Sequence, residues 1–96
     1  MADPEVRELT AAVTVSAHPN ADGGGGIVRA ELQIPQPLYI RAVHQRKSKE
    51  AKYVFQHMVM QALREKALEA GRAEGWHTLI LTKETAGAAA ELYLQG

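Results

Sequence analysis

An uninterrupted helical stretch limits what this chain can fold into. Residues 49–70 contain no Gly or Pro and consist mainly of residues with good helix propensity. Ser48 precedes them as a candidate N-cap, and Gly71 can supply a left-handed cap, with continuation to Gly75 as the alternative. The sequence therefore predicts one helix of about six turns, which takes up a large part of a chain of 96 residues.

Two runs of alternating side chains predict strands before that helix. Apolar and polar residues alternate over residues 6–17, and the same two-residue period returns over residues 28–34. Between them lie a polar stretch and the glycines at 23–26, which are typical of a mobile loop because they have no side chains to pack. We therefore expect the two runs to pair as an antiparallel hairpin.

The rest of the chain predicts a connector and a further strand. Pro35 and Pro37 each lack a backbone donor, so residues 38–43 are expected to be extended, as a bent continuation, an edge strand or a connector. The β-branched run at 76–82 predicts a strand. Residues 86–96 are alanine-rich and are interpreted as a tail or a short helix, and residues 1–5 as a flexible N-terminus.

Together these elements predict a single α+β domain over residues 1–96. One face of an antiparallel sheet would pack on the long helix, giving a small two-layer sandwich in the order β-β-(β)-α-β, with a short C-terminal helix as an option. A first apolar stripe of the helix suits this packing, and its members are Ala51, Val54, Phe55, Met58, Val59 and Ala62. A chain of this length supports one modest core.

A second apolar seam runs along the same helix. Tyr53, Met60 and Ala67 recur every seven residues, with Leu63 beside them, and the seam lies more than a quarter turn from the first stripe. One sheet face does not easily cover both. Either the chain's own extended segment or C-terminal residues cover the seam, or it is an interface with a partner, for which a homodimer is favoured.

Basic residues cluster where the long helix begins. The chain has as many acidic as basic residues, yet five of its 11 Lys and Arg side chains are Arg41, Arg46, Lys47, Lys49 and Lys52. A helix N-terminus disfavours cations, so this placement indicates an anionic ligand. Tyr39 and Tyr53 flank the cluster and are candidates for stacking on bases. The alternative is a solvated surface or the rim of a protein contact.

Several chemistries find no support in the sequence. There is no Cys, and His18, His44, His57 and His77 lack the spacing of a helical metal-ligand pair. The serines and aspartates form no pattern typical of nucleophilic catalysis. We therefore expect no enzyme activity, cofactor or metal. The acidic N-terminus and the absence of a long apolar run predict a cytoplasmic protein without membrane contact.

Two function classes remain. The first is a non-enzymatic protein- or self-association module, such as a small subunit, adaptor or inhibitor in a larger complex, using the helix seam or an open sheet edge. The second is a small nucleic-acid or polyanion binder that uses the basic segment at residues 41–52, with Tyr39 beside it.

Overall fold

The predicted α+β architecture is confirmed in a computed structural model that describes residues 4–85 and 87–96. The elements along the chain are α1 (Pro4–Thr10), β1 (Val13–Pro19), β2 (Gly25–Leu32), α2 (Gln36–His44), α3 (Lys49–Ala73), β3 (Thr78–Thr85) and β4 (Ala89–Gln95). Within the described residues the strands form one antiparallel sheet in the order β1-β2-β4-β3. Helix α3 packs against one face of this sheet.

Alternate residues of the two central strands form the core beneath α3. In β2 these are Val28 and Ala30, and in β4 they are Leu92 and Leu94, all buried. The residues of α3 that complete the same cluster are Phe55, Val59, Met60, Leu63 and Ala67. The two-residue period of the strands and the helical period of α3 thus meet in one apolar layer.

The long helix begins as predicted and ends slightly later. Ser48 is the N-cap, and its Oγ accepts a hydrogen bond from the backbone N–H of Ala51 at 3.0 Å. At the other end Gly75 takes a left-handed φ of 88°, and the N–H of Trp76 reaches the carbonyl of Gly71 at 2.8 Å. This is a Schellman ending. The helix therefore continues past Gly71, the predicted cap, and Gly75, the alternative end, supplies the left-handed residue.

The N-terminal strand prediction was wrong in its first half. Pro4–Thr10 is a helix, and only Val13–Pro19 is a strand. Val6 and Thr10 lie one helical turn apart, both are buried, and Thr10 Oγ1 donates to the carbonyl of Val6 at 2.7 Å. Packing of α1 against α3 overrides the strand propensity of these residues. Of the predicted flexible residues 1–5, Glu5 lies in α1 and residues 1–3 lie outside the described part of the chain.

The segment after the first hairpin is helical rather than extended. Pro35 precedes α2, and Pro37 falls in its first turn, where a missing N–H costs nothing because no carbonyl is available to it. Tyr39, Ala42 and Val43 then recur at helical spacing and are buried. The two prolines therefore mark the start of a helix here.

The C-terminal segment is a central strand. Residues 86–96 were interpreted as a tail or short helix, but Ala89–Gln95 pairs with β2 on one side and β3 on the other. Alanine favours helix locally, but a strand between two others satisfies backbone groups on both edges. The buried Leu92 and Leu94 alternate with the less buried Glu91 and Tyr93, and this period of two agrees with the placement.

The glycine run divides between a turn and a strand. Gly23 has a positive φ of 74°, as a tight turn requires, whereas Gly25 and Gly26 belong to β2 and are buried. Trp76, which is 7% exposed, lies directly over Gly26. The predicted mobile loop is therefore shorter than the run of four glycines.

Candidate interaction surfaces

The basic segment spans two helix ends, and the helix dipoles act on its two halves with opposite sign. Arg41 lies in the last turn of α2, where positive charge is favourable, and Lys47 lies in the connection to α3. Lys49 and Lys52 lie at the start of α3, where positive charge is disfavoured. The helix dipoles therefore disfavour the positive charges of Lys49 and Lys52 but favour that of Arg41, so only the two lysines indicate an anionic ligand.

Arg46 is engaged within the protein. Its Nη2 lies 2.7 Å from Oε2 of Glu5, and its guanidinium carbon lies 3.9 Å from the centre of the Phe55 ring. This arrangement combines an ion pair between α1 and the α2–α3 connection with a cation–π contact to α3. Arg46 therefore holds three segments of the chain together, and binding a ligand would require breaking these contacts.

Tyr39 is also a packing residue. It is 3% exposed, and its ring stacks on Phe55 with 6.4 Å between ring centres. Desolvation by burial raises the pKa of the Tyr39 hydroxyl above its usual 10.0. Its ring faces are therefore not available to a base.

Four cations of the segment remain accessible. Arg41, Lys47 and Lys49 are exposed, and Lys52 is half-buried. The ion pairs among the described residues involve Arg29, Arg46 and Arg64, and none of these four cations. This surface is therefore positively charged, and its four cations form no ion pair with any described residue.

The predicted interface seam divides between surface and core. Met60, Leu63 and Ala67 are 8%, 0% and 0% exposed, whereas Tyr53 is 69% exposed. The buried three belong to the same cluster as β2 and β4. Cover by the chain's own C-terminal residues was one of the two alternatives for this seam, and β4 provides that cover. Only Tyr53 of the four retains a surface for a partner.

Tyr53 extends from a polar flank of α3. Its ring stacks on His57, with 6.4 Å between ring centres and 14° between the planes. Together with Gln56, these two residues line a shallow pocket of about 190 Å³ that reaches Glu84 on β3. This flank of the helix therefore lies beside the outer edge of the sheet.

The largest exposed apolar side chains outside the helices lie on the edge strand β3. Leu79, Ile80 and Leu81 are 47%, 59% and 55% exposed. The pairing register with β4 shifts between Leu79 and Leu81, so Ile80 is an extra residue, as in a β-bulge. An open sheet edge was predicted as an interface, but without these residues. The sequence signal is three consecutive large apolar residues, since a strand with one solvated face cannot bury all of them.

An apolar row continues from this edge across the open face of the sheet. Leu81 is paired with Tyr93, Tyr93 with Ile27, and Ile27 with His18, one residue from each strand. In the neighbouring row Arg29 is 3.0 Å from Glu91, so the charges there are compensated. On the open face of the sheet, the exposed apolar side chains are thus concentrated at the β3 edge.

The described residues contain no group of three or more His, Asp or Glu side chains able to hold a metal ion. No helix in the described ranges is long and apolar enough to cross a membrane. A surface pocket of about 460 Å³ is an open groove between α1 and α3 that Val6, Met58 and Gln61 help to line. Arg7, Thr10 and Glu65 also line it.

Comparison of the chain with protein-family models, curated proteins and solved structures found no match in any of the three.

Proposed function

We propose that this chain is a non-enzymatic self-association module in which strand β3 pairs with β3 of a second copy. The observation that supports this most is the exposure of Leu79, Ile80 and Leu81, each near one half, on a strand whose outer edge has no partner strand in the described part of the chain. Complete burial of a Leu or Ile side chain is worth about 1.5–3 kcal/mol. Because each of the three residues is about half exposed, about half of this burial free energy remains available on association.

The sequence of β3 is compatible with pairing to itself. A symmetric antiparallel pair of residues 78–82 about a two-fold axis at Ile80 brings the apolar residues Leu79, Ile80 and Leu81 of both copies together at the edge. The register shift puts Leu79 on the helix face and Leu81 on the open face, so each copy adds one leucine to each face of the joint sheet. The charged Lys83 lies beyond this paired segment, so the two copies of Lys83 are kept apart.

Features of the sheet edges favour a closed pair over a filament. A filament would need β3 of one copy to pair with β1 of the next, because these are the two edge strands of the sheet. The other edge strand, β1, carries polar side chains toward its end and terminates at Pro19, which has no N–H to donate. A dimer formed through β3 alone buries the apolar edge of both copies.

The test is the mass in solution of the wild type and two matched variants. At tens of micromolar, light scattering coupled to gel filtration should give a mass near twice the 10.5 kDa of one chain. Ile80→Lys loses the burial that remains for a residue 59% exposed. This amounts to about 1–2 kcal/mol per copy, so the dimer dissociation constant should rise at least about 30-fold.

Val15→Lys is the matched control, because Val15 lies on the opposite edge strand and is 37% exposed. It should leave the dimer intact. A wild type that stays monomeric at tens of micromolar would refute the proposal, as would equal dissociation of the two variants. Thermal unfolding of both variants separates loss of association from loss of folding.

A further inference from the structure

We infer that the flank of α3 bearing Lys49, Lys52 and Tyr53 binds single-stranded nucleic acid. Arg41 and Lys47, on the adjoining end of α2 and its connection to α3, would add contacts to the phosphates. This inference goes beyond self-association at β3 and involves different residues, so either proposal can fail alone.

The charge on this surface is suited to a polyanion. Arg41, Lys47, Lys49 and Lys52 have no ion-pair partner among the described residues, and Glu50 is the only carboxylate within residues 41–52. Because the chain as a whole has equal numbers of acidic and basic residues, this end is positive and the remainder is negative. Phosphates would therefore be attracted to one end of the molecule.

An aromatic platform lies on the same helix face as two of the cations. Lys49, Lys52, Tyr53, Gln56 and His57 follow spacings of three and four residues, which places them side by side on α3. The Tyr53 ring is 69% exposed and is supported by stacking on His57. One base can stack on such a ring, and the amide of Gln56 can donate to and accept from a base edge.

Gln56 connects two shallow pockets into one path. On one side it lines a pocket of about 280 Å³ with Ile40 and His44 of α2. On the other it lines the pocket that contains Tyr53 and Glu84. The Glu84 carboxylate is 2.7 Å from Nε of Arg64, so its charge is compensated. The path therefore runs from α2 to the aromatic platform of α3, and no uncompensated carboxylate is among the residues that line the two pockets.

The exposed ring favours a single strand over other polyanions. Stacking on Tyr53 requires a base that is not already stacked in a duplex. An acidic peptide or an anionic lipid surface would use the lysines but would gain nothing comparable from the tyrosine. The contribution of Tyr53 thus distinguishes these ligands.

The experiment is fluorescence anisotropy with a labelled oligothymidine of about 12 nucleotides. A duplex of equal length and polyglutamate serve as comparison probes. With four phosphate contacts, the logarithm of the affinity should fall with the logarithm of the salt concentration with a slope of about −3. The duplex and polyglutamate should bind more weakly than the single strand.

Variants assign the binding to this surface. Lys49→Ala with Lys52→Ala should roughly halve the salt slope, whereas Lys66→Ala with Arg72→Ala, an equal charge change toward the other end of α3, should leave it unchanged. Tyr53→Ala should weaken binding at least about fivefold, and Tyr53→Phe should restore it. Circular dichroism checks that each variant is folded.

Several results would overturn the inference. They are no binding of the wild type at about 50 mM salt, equal affinity for single strand and duplex, equal affinity for polyglutamate, and equal losses from the two double variants. Unchanged affinity in Tyr53→Ala would equally refute it, because stacking is what selects the single strand. None of these results depends on whether β3 forms a dimer.

Discussion

Replacing Gly26 by alanine tests the packing of Trp76 on the sheet. A Cβ at position 26 would lie 2.6 Å from Cη2 of Trp76 and would also overlap the backbone carbonyl oxygen of His18. Trp76 is 7% exposed, and β1 is held by its pairing with β2, so neither neighbour can move aside easily. The contact therefore has to be relieved by displacement of a buried side chain or of a strand.

The expected size of the effect follows from two opposing contributions. Overpacking a well-packed core costs about 1–3 kcal/mol. Replacing Gly by Ala also restricts the unfolded chain, which returns about 0.4–1 kcal/mol. We expect a net loss of about 1–2 kcal/mol, which corresponds to a fall in the melting temperature on the order of 5–15 °C for a domain of this size.

Gly24→Ala is the matched control. A Cβ at position 24 has Asp22 Oδ1 as its nearest neighbour, at 3.4 Å, which is an ordinary van der Waals contact. This variant should be as stable as the wild type or gain up to about 1 kcal/mol. Urea unfolding followed by circular dichroism measures the free energy of unfolding of both variants, and Trp76 fluorescence reports the local contact. Equal stabilities of Gly26→Ala and Gly24→Ala would refute the assigned packing.

Two further variants test the start of α3 and the buried tyrosine. Ser48→Ala removes the acceptor for the Ala51 N–H and should lower the free energy of unfolding by about 1 kcal/mol. Ser48→Asp keeps an acceptor at this position and should keep the wild-type stability. Urea unfolding measures both. Burial raises the pKa of Tyr39 above 10.0, so its contribution to stability should be complete below pH 10.0 and decline as the pH rises through and beyond that value. Tyr39→Phe should reduce this decline, whereas the control Tyr53→Phe at an exposed site should not. Urea midpoints measured across that pH range give the comparison. Identical pH dependence of the wild type and Tyr39→Phe would show that burial of the Tyr39 hydroxyl does not cause the decline.

Elements whose signals are local were predicted well. The helix with its Ser48 cap and the hairpin between β1 and β2 follow from capping, propensity and alternation within short windows. The elements that were missed depend on distant partners. Helix α1 is set by packing on α3, and β4 by insertion between β2 and β3. The partners α3 and β2 lie far from these elements in the chain, whereas β3 precedes β4 by only a short turn and is a local partner.

The candidate surfaces show the same division. The basic cluster is visible in the sequence, but the accessibility of its members is not. Arg46 already forms an ion pair with Glu5 and a cation–π contact with Phe55. Tyr39 and Tyr53 look equivalent as flanking aromatics, yet one is 3% and the other 69% exposed. Burial of a side chain is decided by the whole chain, so spacing alone could not separate them.

The sequence by itself determined the local elements and the charge distribution: one long capped helix, alternating strands, a neutral total charge and a local excess of cations. Only the tertiary structure decided which surfaces remain open. It buried Met60, Leu63 and Ala67 beneath β4 and left Leu79, Ile80 and Leu81 at an edge. The physical reason is that helix and strand periods arise from neighbours in sequence, whereas exposure depends on which strands pair, and strand order involves residues far apart in the chain.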